Sequence, residues 1–537
     1  MKKTIKNIMI VCLLVLATIV VAPKVLATIS GTTGKIVVQG LEEDKVLTAT
    51  AYQLMTVNIE NGQPKEPVYT WDSKVAAWLR ANDYEEFVVD GTNDVSDNFN
   101  STTSVNLSEF YDKLATAIRA DITATTDADE TTTSAYGFEN LTHKSADSAI
   151  GTTTAEITVE MGHHLVLVEN GMRVYKPMAA NVVPEYSKGE WNIKNGEITE
   201  KMILEAKSST PHIEKEVVES DSSVKVGDVL TYKLTVFVPQ YPAGTKNKLL
   251  TVGDVFSNGL EFVEITNVKG NGVTPLTENT NYKVTEPTAD NNNTLTIDFG
   301  GSLYDANSAY STIEVTYTAR ITEDAEVEDP INNTATLTYN PNPYKDSDSA
   351  TDDTEVDVYT YGLKLTKVGT EEEDLDGLAG VIFNVTKGND TLCFKASDNG
   401  YTYTGTGTCS TGSSADVTTP ANGLLVLNGL DEGEYKLTET FAPNGYIKLK
   451  APITLTIKDA DEEGKVDGTL ELVKTDTTGA AIDGRFVTIT VTNTKSIIDL
   501  PVTGGIGTLI FSIVGMLFMG TSVVLVRNIL KKKEVQL

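Results

Sequence analysis

Lysine, asparagine and a carboxylic acid held together away from water can form a covalent bond without any cofactor. An unprotonated lysine attacks the side-chain carbonyl of asparagine and ammonia leaves. The reaction requires that burial lower the lysine pKa and that a nearby carboxyl, its own pKa raised, move the protons. Strand parity turns residues of these types toward apolar faces twice in this sequence. Ile213, Lys215 and Val217 share one face, and Asn333 shares its face with Ala335, Leu337 and Tyr339, so Lys215 and Asn333 point inward. Further on, Asn493 shares a face with Val487, Ile489 and Val491, and parity with Leu363 and Leu365 turns Lys367 inward. Turnover chemistry finds no comparable pattern. Of the 4 histidines, His163 and His164 are adjacent on a strand and should point to opposite faces, which defeats both chelation and a catalytic triad. No glycine-rich phosphate loop or nucleophile elbow is present. The acidic run Asp346–Asp357 lacks the fixed glycine and spacing of a dedicated calcium loop, so it reads as a solvated linker, and no metal or cofactor is expected.

The elements that must carry these residues are mainly β. Residues 28–206 read as strands, such as Gly34–Val38, Val46–Tyr52 and a pair within Ile157–Val168, with one or two short helices. The apolar spacing from Ser73 to Ala81 is helical, a second helix is predicted over Ser108–Ala120, and Asp90–Thr103 has the composition of a surface loop. Residues 207–356 alternate more cleanly. The even positions from Leu230 to Val238 form one apolar face, as do Ile313, Val315, Tyr317 and Ala319. Short strands separated by Gly, Asn and Asp turns predict an immunoglobulin-like β-sandwich.

Both ends carry targeting patterns. Lys2, Lys3 and Lys6, an apolar core from Ile8 to Ala22 and the small-residue ending Val25-Leu26-Ala27 predict a signal peptide over residues 1–27. Within 498–537, an uncharged apolar run from Ile506 to Val526 is long enough to cross a bilayer as a helix. Arg527 and Lys531–Lys533 after it mark the cytoplasmic side. Roughly 470 residues then lie outside the cell, enough for three domains of about 150 each. A net charge of -32, from 43 basic and 75 acidic residues, argues against nucleic acid as a partner. Of the 3 cysteines, Cys12 falls in the signal peptide, and the spacing of Cys393 and Cys409 suits one local bridge across a hairpin in an oxidising compartment.

Three stretches resemble known families. Leu500-Pro501-Val502-Thr503-Gly504, just ahead of the apolar run, resembles the LPXTG cell-wall sorting signal of Gram-positive bacteria. That resemblance implies that a sortase cuts between Thr503 and Gly504 and passes the threonine carboxyl to an amine. Tyr435-Lys436-Leu437-Thr438-Glu439, followed by Ala442-Pro443-Asn444-Gly445-Tyr446, resembles the E-box of collagen-adhesin (Cna) B-type domains, which implies a second sandwich over 357–497. Val174-Tyr175-Lys176-Pro177-Met178, with Trp191 after it, resembles the N-terminal domain of sortase-assembled major pilins. With these the resemblance to such pilins covers nearly the whole chain.

The resemblance implies internal Lys–Asn isopeptide bonds that resist reduction and suit a fibre under tension. In that family the first and last strands of the middle domain type are neighbours joined by such a bond, with an aspartate assisting. Here the matching residues are Lys215, Asn333 and Asp254. For the last domain it implies Glu439 as the acid and Asn493 as the amide. Family alignment of the Lys-x-x-Lys pattern favours Lys364 as the amine, whereas parity favours Lys367. The acceptor amine for polymerisation, usually in a Tyr-Pro-Lys context absent here, is assigned to Lys207, with Lys194 and Lys201 as rivals. The implied partners are a sortase, further copies of the subunit and peptidoglycan, on a wall-anchored surface pilus that supports adhesion to an unknown host ligand. A monomeric LPXTG-anchored adhesin or minor pilin is the alternative, and a wall-anchored enzyme a more remote one.

Overall fold

The computed structural model describes residues 29–100, 106–126, 135–188, 190–218, 223–300, 303, 310–345, 348–460 and 466–495, with a few positions between 516 and 524. The expected signal peptide, the Leu500–Gly504 motif and most of the expected membrane helix lie outside these residues. Among the described residues no helix is long and apolar enough to cross a membrane. The chain divides into two compact units. One draws on 1–220, 229–320 and 332–357, the other on 221–228, 321–331 and 358–537.

The first unit opens with a sheet in which Thr33–Gln39 runs antiparallel to Thr154–Glu160 and parallel to Met202–Glu205. A second sheet orders Gln63–Trp71, Thr48–Glu60, Gly162–Glu169 and Met178–Val182. Ile36, Val38, Ile157, Val166 and Ala180 fill one core, and a separate aromatic core forms around Trp71, Trp78, Phe87, Phe110 and Leu165. The helix Ser73–Ala81 forms where its spacing predicts. Asp72 caps it by accepting from the Lys74 amide at 2.9 Å, and Val75, Ala76, Trp78 and Leu79 give it one buried face. The second helix, Leu107–Thr126, is longer than predicted at both ends.

The rest of the first unit is a sandwich of two five-stranded sheets. One orders His212–Val217, Val229–Phe237, Thr312–Ile321, Leu260–Gly270 and Thr274–Pro275; the other orders Tyr282–Thr285, Thr294–Phe299, Leu250–Phe256, Ile331–Tyr339 and Ala350–Val358. Alternate residues of each sheet face inward, so Leu230, Tyr232, Leu234 and Val236 oppose Val252, Phe256, Ala335 and Leu337 in a dry core. Two expectations change here. The strands bearing Lys215 and Asn333 are not paired neighbours; they belong to opposite sheets and meet only through the core. The acidic run also proves to be structured in its main part, because Ala350–Val358 is an edge strand. Its carboxylates line an exposed margin, the usual protection of a sheet edge, and one of them, Asp352, accepts from the Ile213 amide at 2.9 Å.

In the second unit Tyr361–Val368 lies between Leu424–Leu430, antiparallel to it, and Phe486–Thr492, parallel to it. Gly433–Phe441, the strand of the E-box, pairs with Ile382–Lys387 and Ile453–Ile457. Residues 221–228 and 321–331 group with this unit through specific bonds: the Val226 amide donates to Gly429 O at 3.1 Å, and the Arg485 guanidinium donates to Glu328 O at 2.7 Å. Cys393 and Cys409 are joined in a disulfide with Cα atoms 5.4 Å apart.

Candidate functional site: two buried lysine, carboxyl and asparagine clusters

In the first unit, alternation on three strands brings Lys215, Asp254 and Asn333 into one apolar core. The side chains of Lys215 and Asp254 are both fully excluded from solvent, and Asn333 is likewise buried. The Lys215 ammonium contacts Asp254 Oδ1 and lies 5.4 Å from the Tyr232 ring and 5.7 Å from the Tyr317 ring. Burial lowers the lysine pKa to about 8, against the opposing pull of the Asp254 charge. Asp254 does not touch the asparagine through any direct bond in the structure. Its Oδ2 accepts from the Tyr317 hydroxyl at 2.6 Å, and that hydroxyl accepts from Asn333 Nδ2 at 2.7 Å. The Asn333 carbonyl oxygen is buried and without a hydrogen-bond partner.

The second unit builds its cluster differently. Lys367, Glu439 and Asn493 are all buried, and Lys367 Nζ donates to Asn493 Oδ1 at 2.8 Å and to Val491 O at 3.1 Å. Asn493 Nδ2 donates directly to Glu439 Oε1 at 2.6 Å, while Glu439 Oε2 is buried without a partner. Burial again brings the lysine pKa down to about 8.

Lys364, the amine chosen from the family pattern, takes no part in this cluster. Its ammonium pairs with Asp483 at 2.8 Å and sits 3.9 Å from the Phe486 ring centre, on the opposite face of the strand. The reason is the pleat. Leu363, Leu365 and Lys367 share the inward side, and the parallel register sets Lys367 opposite Val491, two residues from Asn493.

The three acceptor candidates all lie near the end of the N-terminal sheet system. Lys207 is exposed just beyond Met202–Glu205, and its carbonyl accepts from the Lys176 amide at 2.9 Å. Lys194 is exposed on a two-residue strand, and Lys201 pairs with Glu156 at 2.5 Å. Among the described residues no group of three or more His, Cys, Asp and Glu could hold a metal ion. Sequence reasoning missed Tyr317 as a member of the first cluster, having taken it only as a core residue. The available signal was its hydroxyl, since a tyrosine on an inward face needs a polar partner.

Residues 362–471 match the family of SpaA prealbumin-like fold domains, a span that includes Lys367 and Glu439. The solved structure of the T6 backbone pilin of serotype M6 Streptococcus pyogenes superposes with a TM-score of 0.56 at 18% identity, covering 88% of this chain and all of that one. The chain has the fold of a backbone pilin. In sequence it is 28% identical over 271 residues to the trypsin-resistant surface T6 protein of Streptococcus pyogenes serotype M6. That match covers 45% of this chain and 44% of the relative, so it spans less than half the length of each.

Proposed function

We propose that this protein is the major structural subunit of a covalently polymerised surface pilus, stiffened by one Lys–Asn bond in each unit. The observation that carries the reading is the second cluster, where the Asn493 amide is hydrogen-bonded on one side to the Lys367 amine and on the other to the Glu439 carboxyl, with all three groups buried. With its pKa near 8, roughly a tenth of Lys367 is neutral at pH 7. The neutral amine attacks Cγ of Asn493, forming the Nζ–Cγ bond. Glu439 takes a proton from the attacking nitrogen and delivers it to Nδ2, the Cγ–Nδ2 bond breaks, and ammonia leaves. Val491 O, already bonded to the amine, holds it at the end of the strand.

Polymerisation joins Thr503 of one subunit to Lys207 of the next through a sortase acyl intermediate, and the final subunit is passed to peptidoglycan. The resemblance of the Leu500–Gly504 motif and the exposure of Lys207 support this step. The subunit is structural, and its chemistry is a single self-modification in each unit rather than turnover.

Intact mass of the purified ectodomain tests the cross-links. Two ammonia losses of about 17 Da each are expected, and Asp254→Ala or Glu439→Ala should each restore one. A wild-type mass equal to that of the sequence would eliminate the reading.

A further inference from the structure

The two clusters differ in what stands between the carboxyl and the amide nitrogen that must leave. In the second unit nothing does: Glu439 Oε1 is 2.6 Å from Asn493 Nδ2. In the first unit a phenol intervenes. Asn333 Nδ2 bonds to the Tyr317 hydroxyl at 2.7 Å, and that hydroxyl bonds to Asp254 Oδ2 at 2.6 Å, while the other oxygen of Asp254 contacts Lys215. The four groups form an unbroken chain from nucleophile to leaving group. Tyr317 is fully buried and stacked on Tyr232, with ring centres 5.4 Å apart and planes 7° apart, so its hydroxyl is held in place rather than free to swing.

We infer that Tyr317 is a catalytic residue of the first-unit cross-link, relaying the proton from Asp254 to the departing nitrogen of Asn333. The inference rests on the cross-linking chemistry proposed above. The Nζ–Cγ bond forms between Lys215 and Asn333, and one proton of the attacking amine passes to Asp254. Asp254 passes a proton to the Tyr317 oxygen as Tyr317 gives its own to Nδ2. The Cγ–Nδ2 bond breaks, ammonia leaves, and Asp254 and Tyr317 end in the protonation states in which they began. Burial raises the Tyr317 pKa well above its ordinary value, so the phenol keeps its proton until the tetrahedral nitrogen becomes basic enough to take it. A direct transfer from Asp254 would require the carboxyl to displace this hydroxyl from the amide in a packed core.

The experiment uses the whole ectodomain, in which the second unit serves as an internal control. Peptide mapping follows the 215–333 and 367–493 links over time after synthesis. In Tyr317→Phe, the 215–333 link should form at least tenfold more slowly than in wild type, while 367–493 forms at the wild-type rate. Because loss of the hydroxyl could also disturb packing, a second series places 3-fluorotyrosine and 3,5-difluorotyrosine at position 317. These keep the shape and increase the acidity of the phenol, so the 215–333 rate should shift several-fold and the 367–493 rate should not. An unchanged 215–333 rate in Tyr317→Phe, or in the fluorinated pair, overturns the relay. If the 215–333 link is missing in wild type itself, the cross-linking proposal fails for that unit and the relay fails with it.

Discussion

At the residue scale, the decisive feature is a lysine that exchanges hydration for a place beside an amide. Lys367 and Lys364 lie on one strand three positions apart, yet only Lys367 faces Asn493. Lys367→Arg should therefore abolish the second ammonia loss, because a guanidinium stays protonated, and Lys364→Arg should preserve it. Peptide mapping decides the matter, and a 367–493 link surviving in Lys367→Arg would refute the placement. The same burial fixes a pH dependence. Since both lysines titrate near 8 when folded, the neutral fraction rises with pH, and each link should form faster at pH 8 than at pH 6. For an unreacted lysine, as in Asn493→Ala, the folded pKa lies below the usual 10.5, so the unfolded state binds more protons between the two values. Stability of that variant should rise as pH increases from about 8 toward 10.5, as read from urea unfolding. A flat profile would contradict the burial of the charge. Much of this site was legible in the sequence through strand parity, which put Lys215, Asn333, Lys367 and Asn493 on apolar faces. Family alignment chose Lys364 over Lys367 against that parity. Tyr317 escaped because parity identifies which way a side chain points but not which polar atom it meets.

At the element scale, the strand Gly162–Glu169 carries two adjacent buried histidines. Both His163 and His164 are buried, because a core covers each side of their sheet. His163 meets Tyr111 at 2.8 Å, and Nδ1 of each histidine is buried without a partner. Desolvation lowers the two pKa values to about 3 and about 4 from the usual 6.5. A depressed folded pKa means that the unfolded state binds protons first. The stability these neutral histidines provide is thus complete above about 6.5 and is lost as pH falls toward 3 to 4. Thermal melting between pH 7 and 4 should show the N-terminal part of the first unit failing early, with a shallower pH slope in His163→Phe. An unaltered slope would count against the role of that ring. The helix Ser73–Ala81 was legible because its apolar spacing follows the helical period, which gives it one buried face. The edge strand Ala350–Val358 was not, because edge strands carry charge for the same reason linkers do, and composition cannot separate the two.

At the scale of the whole molecule, the proposed assembly turns on two groups. Replacing Leu500 or Pro501 should leave the protein in the membrane fraction, since the apolar segment is never removed, and normal wall-linked polymer from such a variant would rule out the sorting step. Lys207→Arg should remove the high-molecular-weight ladder on a denaturing gel while both internal links still form. If the ladder persists in Lys207→Arg but vanishes in Lys194→Arg or Lys201→Arg, the acceptor is one of those residues instead. The mainly β architecture and the middle sandwich were legible from alternation and turn spacing, whereas the second sandwich was implied only by the resemblance of residues 435–446 to an E-box. The grouping of residues 221–228 and 321–331 with the second unit was not, because it depends on hydrogen bonds between segments far apart in the chain.

Lys215 and Asn333 lie on opposite sheets, whereas Lys367 lies on the strand paired with Phe486–Thr492 and Asn493 directly follows that partner strand. Once joined, each pair closes a covalent macrocycle, and the Cys393–Cys409 bridge closes a smaller one nested inside the second. In the proposed polymer, a protease that cleaves one peptide bond between residues 216 and 332, or between 368 and 492, then opens a circle without dividing the fibre. The nicked subunit gains one water and keeps both of its junctions, so a fibre of such subunits tolerates many isolated cuts before any cut severs it.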